Sequence, residues 1–239
     1  MSVFAHLVEQ LADLLEPLFH GSAAAAAIVL FTAFVRLLVH PLSRAAARGQ
    51  QARTRLQPRI AELRRKYRRD PERLQRAVLE LHREEKVSPL AGCLPGVLQL
   101  PAFFLLYHLF SSGTIGGEAN GLLGHELLGA PLGDRWLDAL NGGGGLLGDA
   151  GLVYIGLFVL VTAVAAFNYR RTKIMMAAHP MASAGQDGQP VPGMGAITKV
   201  MPFMSFFTLV TVAVVPLAAA LYVVTSTTWS AVERAVLYR

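Results

Sequence analysis

The sequence predicts an all-α, polytopic membrane protein. It would have five transmembrane helices, an N-terminal amphipathic helix and a cytoplasmic helical hairpin. Three observations carry that prediction. Hydrophobic residues make up 53% of the 239-residue chain and charged residues only 16%, with a mean hydropathy of +0.43, whereas soluble domains carry about a quarter charged residues. Apolar runs long enough to cross hydrocarbon recur along the chain. Lys and Arg are scarce up to Val35 and again over residues 111–168, where Arg135 stands alone, but they crowd into residues 44–86. That asymmetry is the mark of cytoplasmic flanks.

Residues 1–22 form the amphipathic element. Val3, Phe4, Leu7, Val8, Leu11, Leu14, Leu15 and Leu18 share one helical face, and His6, Glu9, Gln10 and Asp13 the other. The segment is too short and too polar to span, so it is expected on the membrane surface. An ordinary packed surface helix is the alternative.

Residues 23–42 are the first span, with Pro41 marking its end. The run is apolar except for Arg36, and a buried arginine costs at least ~2.5 kcal/mol near a bilayer centre. Two readings stand side by side. Arg36 lies five residues before Pro41, so it could snorkel to the nearby interface, or it could face a wet cavity inside the membrane.

Residues 43–87 read as a basic helical hairpin. Ala45, Ala52, Leu56, Ile60, Leu63 and Tyr67 recur at helical spacing, with Pro58 as an expected kink. Asp70-Pro71 is the turn, and Leu74, Val78 and Leu81 stripe the second arm. Arg64, Arg65, Lys66, Arg68 and Arg69 are its candidate partner-binding residues. A solvated hairpin obeying only the positive-inside rule would explain the charge, but not the insertion of two whole helices. Anionic lipid headgroups, ribosomal RNA and acidic proteins all suit such a surface.

Residues 88–112 form the second span, broken by Pro95 and Pro101 and carrying the polar Gln99. An interhelical hydrogen bond is the plain reading of Gln99. Residues 113–151 form a Gly-rich loop with a flexible patch at residues 142–145; its charges are mostly acidic, which sets it on the opposite, extracytoplasmic side. Residues 152–168 are the third span, and residues 169–196 a cytoplasmic loop opening on Arg170, Arg171 and Lys173. Residues 197–215 and 216–236 are the fourth and fifth spans, in a tight hairpin about Val215-Pro216, and residues 237–239 are a short cytoplasmic tail. Five spans with the basic segments inside leave the N-terminus outside and the C-terminus in the cytoplasm.

The single cysteine, Cys93, allows no intrachain disulfide or cysteine cluster for metal, and no cofactor is expected. The start lacks a basic n-region and a cleavage site, so no cleavable signal peptide is expected. No HExxH, GxSxG, acidic dyad or Walker-type loop occurs, so the chain is not expected to be an enzyme.

The succession Val35-Arg36-Leu37, Pro41-Leu42, a basic hairpin, and then Pro89-Leu90-Ala91-Gly92-Cys93-Leu94-Pro95, Leu98-Gln99-Leu100-Pro101 and Leu106-Tyr107 resembles the YidC/Oxa/Alb family of membrane protein insertases. Val215-Pro216 and Leu221-Tyr222 are similar to the family's last span. The resemblance covers nearly the whole chain. It implies a bacterial inner-membrane protein that moves nascent membrane proteins into the bilayer through a hydrophilic groove, without nucleotide hydrolysis, alone or beside the Sec translocon. Arg36 matches the groove arginine and Gln99 a polar groove position. Tyr222 matches a substrate-facing position, and Asn168 lies near a polar one. Nascent clients, the Sec translocon, ribosomes at the hairpin and anionic lipids are the partners it implies. Departures fall at Ser88, where the family often has Asn, and at Ala219, Val223 and Val224 in the last span. The short tail leaves any ribosome docking to the hairpin. A small transporter or channel is the alternative function; it would use Arg36 and Gln99 as a permeation lining, but the chain shows no internal repeat or paired intramembrane acids. A scaffold whose hairpin only binds lipid would tolerate Leu at Arg36.

Overall fold

A computed structural model describes residues 2–87, 104–115, 117–142, 144–178 and 200–237. The protein is mostly helical. Helix α1 is Ser2–Phe19, α2 Ala23–Lys66 and α3 Pro71–Glu84; α4 covers residues 104–111. Helix α5 is Trp136–Asn141, α6 Asp149–Ala178, α7 Phe207–Val214 and α8 Leu217–Leu237. Gln99, Cys93, Pro95, Pro101 and the polar loop at residues 179–195 lie outside the described residues.

Helix α1 turns Val8 and Ala12 onto the core, with Leu11 and Leu15 beside them. Leu7, Leu14 and Leu18 stay exposed. The apolar arc seen in the sequence is therefore split into a packed face and an open one. The run of small residues that begins α2 allows close approach: Ala23, Ala24, Ala25, Ala27 and Ile28 are all buried.

Helix α2 does not stop at Pro41. It runs 44 residues with both Pro41 and Pro58 inside, about 66 Å at 1.5 Å per residue. The expected break is corrected for a local reason. Proline removes one backbone donor and crowds the carbonyl four residues before it, yet the helix is held on both sides of Pro41. His40 is paired with Glu233, Ala47 is buried, and Gln51 donates to the Leu237 carbonyl. Past Tyr67 the chain turns. The Asp70 carboxylate accepts the Arg73 backbone N–H at 3.0 Å, and Pro71 stands at the first position of α3, as capping chemistry favours. Leu56, Ile60 and Leu81 pack between α2 and α3 with Leu63 and Val78, and Arg59 is ion-paired with Glu85.

The Gly-rich loop is more structured than its composition suggests. It forms two antiparallel ladders, Thr114–Ile115 (β1) with Glu118–Ala119 (β2) and Glu126–Leu127 (β3) with Ala130–Pro131 (β4). Leu122 and Leu132 are fully buried. Asn120 ties the loop to α4: its amide donates to the Leu109 and Ser112 carbonyls at 2.9 and 3.0 Å, and its Oδ1 accepts from Leu122 N–H. The glycines near the patch serve close approach: a Cβ on Gly144 would come within 2.6 Å of Gly148 Cα.

Helix α6 buries Tyr154, Leu157, Val161 and Ala165, one stripe at helical spacing, and exposes Leu152, Val159 and Phe167. Val215 is extended, breaking α7 from α8. Helix α8 then runs through the middle of the molecule, with every residue from Leu217 to Val224 buried. A helix start leaves four backbone donors without internal partners. Here the loop supplies two acceptors: Leu217 N–H donates to the Asp134 carbonyl and Ala218 N–H to the Leu132 carbonyl, both at 2.9 Å. The Tyr154 hydroxyl donates to the same Asp134 carbonyl at 2.7 Å.

Candidate functional site

The loop closes one end of α8, and polar chemistry collects towards the other. Arg36, on α2, reaches across to α8: its Nε and Nη2 both donate to Ser226 Oγ, at 3.0 and 2.5 Å. Tyr222, one turn earlier on α8, shares a hydrogen bond with the same Ser226 side chain. Below Arg36, His40 Nδ1 lies 2.6 Å from Glu233 Oε1, with the carboxylate only 11% exposed. Arg36 to His40 is one helical turn, as is Tyr222 to Ser226. The parallel helices therefore face each other along one seam, and that seam carries a guanidinium, a phenol, a hydroxyl, an imidazole and a carboxylate.

Around the seam the environment divides. Above Ser226, α8 is apolar and buried on all sides. From Thr225 onward, Thr225, Thr227, Thr228, Trp229 and Ser230 are only partly buried. On α2, Leu37 and Leu38 beside Arg36 are exposed apolar side chains. A polar, partly open half of the seam thus adjoins a dry, apolar half at the start of α8.

Of the site residues read from the sequence, the structure brings Arg36 and Tyr222 together through Ser226. Tyr222 itself is 1% exposed, its ring 6.0 Å from that of Phe110, so it forms the back wall of the seam and no open surface. Asn168 is elsewhere. It lines a cavity of about 190 Å³ with Ser205, Thr208, Thr227, Ser230 and Arg234, and neither Arg36 nor Tyr222 is part of that lining. Gln99 falls outside the described residues. Arg64, Arg65, Lys66, Arg68 and Arg69 are all exposed around the turn between α2 and α3, with Lys66 Nζ 5.3 Å over the Tyr67 ring.

Ser226, His40 and Glu233 were missed in the sequence. The signals were there: a hydroxyl-rich run, Thr225-Ser226-Thr227-Thr228, inside an apolar span, and a histidine one turn after the arginine. Which of the hydroxyls meets Arg36 depends on the register of α2 against α8. Among the described residues, no group of three His, Cys, Asp or Glu side chains converges to hold a metal.

The sequence is similar to known proteins. Against a membrane protein insertase YidC of Clostridium perfringens it is 39% identical over 94 residues, which cover 39% of this chain and 40% of that one. Insertases of the same name from Polynucleobacter asymbioticus and Geobacter sulfurreducens are each 38% identical, over 87 and 81 residues. Those stretches cover 36% and 34% of this chain but only 16% and 15% of the relatives. The matched stretches thus cover less than half of each relative. A family profile, that of the 60Kd inner membrane protein, matches residues 15–239. That match takes in both helices of the polar seam, the turn between α2 and α3, and the loop that caps α8, and on it the chain belongs to the 60Kd inner membrane protein family.

Proposed function

We propose that the protein is a membrane protein insertase: it moves nascent membrane segments from the cytoplasm into the bilayer and breaks no covalent bond in doing so. The observation that carries this reading is the fixed guanidinium of Arg36 on Ser226. Ser226 is nine residues from Leu217, where the loop caps α8, about 14 Å along the helix. Measured against a hydrocarbon layer of about 30 Å, that depth is near the middle. Arg36 is turned across to α8, away from the snorkelling arrangement.

A client segment with an acidic outer tail meets a barrier of several kcal/mol per charge in hydrocarbon. A wet inner half shortens the path, and the positive charge of Arg36 attracts the tail to the end of it. The sealed outer half keeps ions from following. Once the tail has crossed, the apolar stretch leaves sideways past the exposed Leu37 and Leu38, at roughly 25 cal/mol gained per Å² of apolar surface removed from water. No nucleotide is needed.

In this reading the chain has five spans, with the N-terminus outside. The turn between α2 and α3 lies in the cytoplasm, where Arg64, Arg65, Lys66, Arg68 and Arg69 receive a ribosome, a translocon or anionic lipid. Gln99 from the second span adds to the polar lining.

The test is insertion of a single-span client with an acidic outer tail into proteoliposomes holding this protein alone. Wild type and Arg36→Lys are expected to insert it, and Arg36→Ala to fail. Equal insertion by Arg36→Ala would remove the electrostatic mechanism. Uptake of small solutes without client insertion would make the chain a transporter.

A further inference from the structure

We infer that the groove between the β3–β4 hairpin and the first half of α6 is a lipid site, one that takes an acyl chain along α6 and a primary ammonium headgroup at Asp149. Helix α6 is long and apolar enough to cross a membrane. Leu152, Val153, Leu157 and Leu160 form one wall of the groove, and Leu127 and Leu128 the other. At its centre is Gly156, where an added Cβ would meet no atom within 4 Å. The missing side chain leaves the helix surface open there. The space is about 500 Å³, and among the described residues that line it only Asp149 is charged.

Length selects a lipid. Asp149 to Leu160 is eleven helical steps, about 16 Å, the depth of one leaflet of a hydrocarbon layer of about 30 Å. An acyl chain hanging from a headgroup at Asp149 ends at the membrane midplane, and so does the groove. A partner's spanning helix would need the groove to continue along the second half of α6, and its lining stops at Leu160.

The hairpin turn points the same way. Leu128 and Gly129 are its two central residues, at φ +51° and +83°. Turns with both angles positive are ordinarily built from Asn, Asp or Gly, because the left-handed region is costly for a side chain such as leucine. Here a leucine is held in it with its side chain 71% exposed at the edge of the groove. That placement is unfavourable in water and favourable against an acyl chain.

Charge selects the headgroup. The exposed Asp149 carboxylate lies over the same turn, its Oδ2 3.3 Å from where a Cβ on Gly129 would stand. Among the described residues none forms an ion pair with it. A carboxylate there favours a cation, and most of all one that can donate a hydrogen bond. A primary ammonium does both, a quaternary ammonium supplies only charge, and a glycerol headgroup leaves the phosphate anion facing the carboxylate. The charge of Asp149 also suits the start of α6, so headgroup preference is the readout that separates the two roles.

The site is separate from the seam that holds Arg36 and is tested without a client. The full chain would be exchanged into mixed micelles with equal amounts of phosphatidylethanolamine, phosphatidylglycerol and phosphatidylcholine of matched acyl chains, and bound lipid counted by native mass spectrometry. Wild type is expected to keep one phosphatidylethanolamine, about tenfold over phosphatidylglycerol, the scale of one charge-assisted hydrogen bond, and by a smaller factor over phosphatidylcholine. Asp149→Asn should erase that preference and leave total retention nearly unchanged. Gly156→Leu fills the groove and should lower retention of all three lipids without lowering the unfolding temperature. Leu128→Asn relaxes the turn, so it should raise the unfolding temperature while retention falls; a purely structural leucine would move only the first. Glu126→Gln, on the face of β3 opposite Leu127, should change neither. Equal retention of the three lipids, a preference that survives Asp149→Asn, or retention unaffected by Gly156→Leu would overturn the proposal. A dimer in the same spectra that Gly156→Leu abolishes would give the groove to a second copy of the chain and overturn it as well.

Discussion

A single hydroxyl governs the state of Arg36. Ser226 accepts from both the Nε and Nη2 groups, so the guanidinium is oriented across the seam before any client arrives. Ser226→Ala keeps the charge and loses the anchor. We expect client insertion to fall less than in Arg36→Ala, and stability to drop by about 2 kcal/mol, the scale of a hydrogen bond to a charged group; denaturation in detergent beside the insertion assay separates the two effects. Glu233 sets the opposing charge. It is held by His40 and sits within electrostatic reach of Arg36. Glu233→Gln removes a negative charge that a client's acidic tail would otherwise meet, so crosslinking of an acidic client to the seam should rise, and that of a basic one should not. A fall for the acidic client would mean that the pair's role is to hold α2 to α8.

At the scale of elements, the start of α8 is the joint on which the dry half depends. Its first two N–H groups are satisfied by carbonyls of a loop made largely of two-residue strands and 3-10 turns. Trp136 packs edge-on against Phe158 at 5.1 Å and near Tyr154 at 5.5 Å, which docks that loop onto α6. Two substitutions test the joint. Tyr154→Phe loses the bond to Asp134 and should cost about 1 kcal/mol. Gly151→Ala would bring a Cβ within 2.5 Å of the Gly145 and Leu146 carbonyls, so it should destabilise more, seen as a lower unfolding temperature, and admit ions through the outer half. At the other end, Asp70 caps α3. Asp70→Ala should loosen that helix by about 1 kcal/mol and raise amide exchange over residues 71–84, leaving the spans unchanged.

For the molecule as a whole, the continuity of α2 matters most. The same helix packs on α1 and α8 at one end and carries the basic turn at the other. Orientation is tested by labelling introduced cysteines with an impermeant reagent in intact cells. Leu147→Cys, at an 83% exposed position in the capping loop, is expected to react from outside, and Arg68→Cys only after lysis. The reverse pattern would invert the topology.

The helical character of the chain was legible because apolar runs and charge blocks are local properties of sequence: the onset of α2, the Asp70-Pro71 turn and the break at Val215-Pro216 all come from residues within a few positions of one another. Family membership was legible for the same reason, in the Gly92-Cys93-Leu94-Pro95 string and its neighbours. Pro41 misled, because whether a proline ends a helix depends on what holds the helix on either side of it, and here that is Glu233 before it and the Leu237 carbonyl beyond it, on a helix almost two hundred residues away. How the Gly-rich loop is held was not legible, because Leu122, Leu132 and Asn120 anchor it through contacts that composition does not register. Only the tertiary structure paired Arg36 with Ser226 and moved Asn168 into a cavity of its own. The rotation and register of α2 and α6 against α8 decide which of several hydroxyls each side chain meets, and packing sets that rotation, not the order of residues along any one helix.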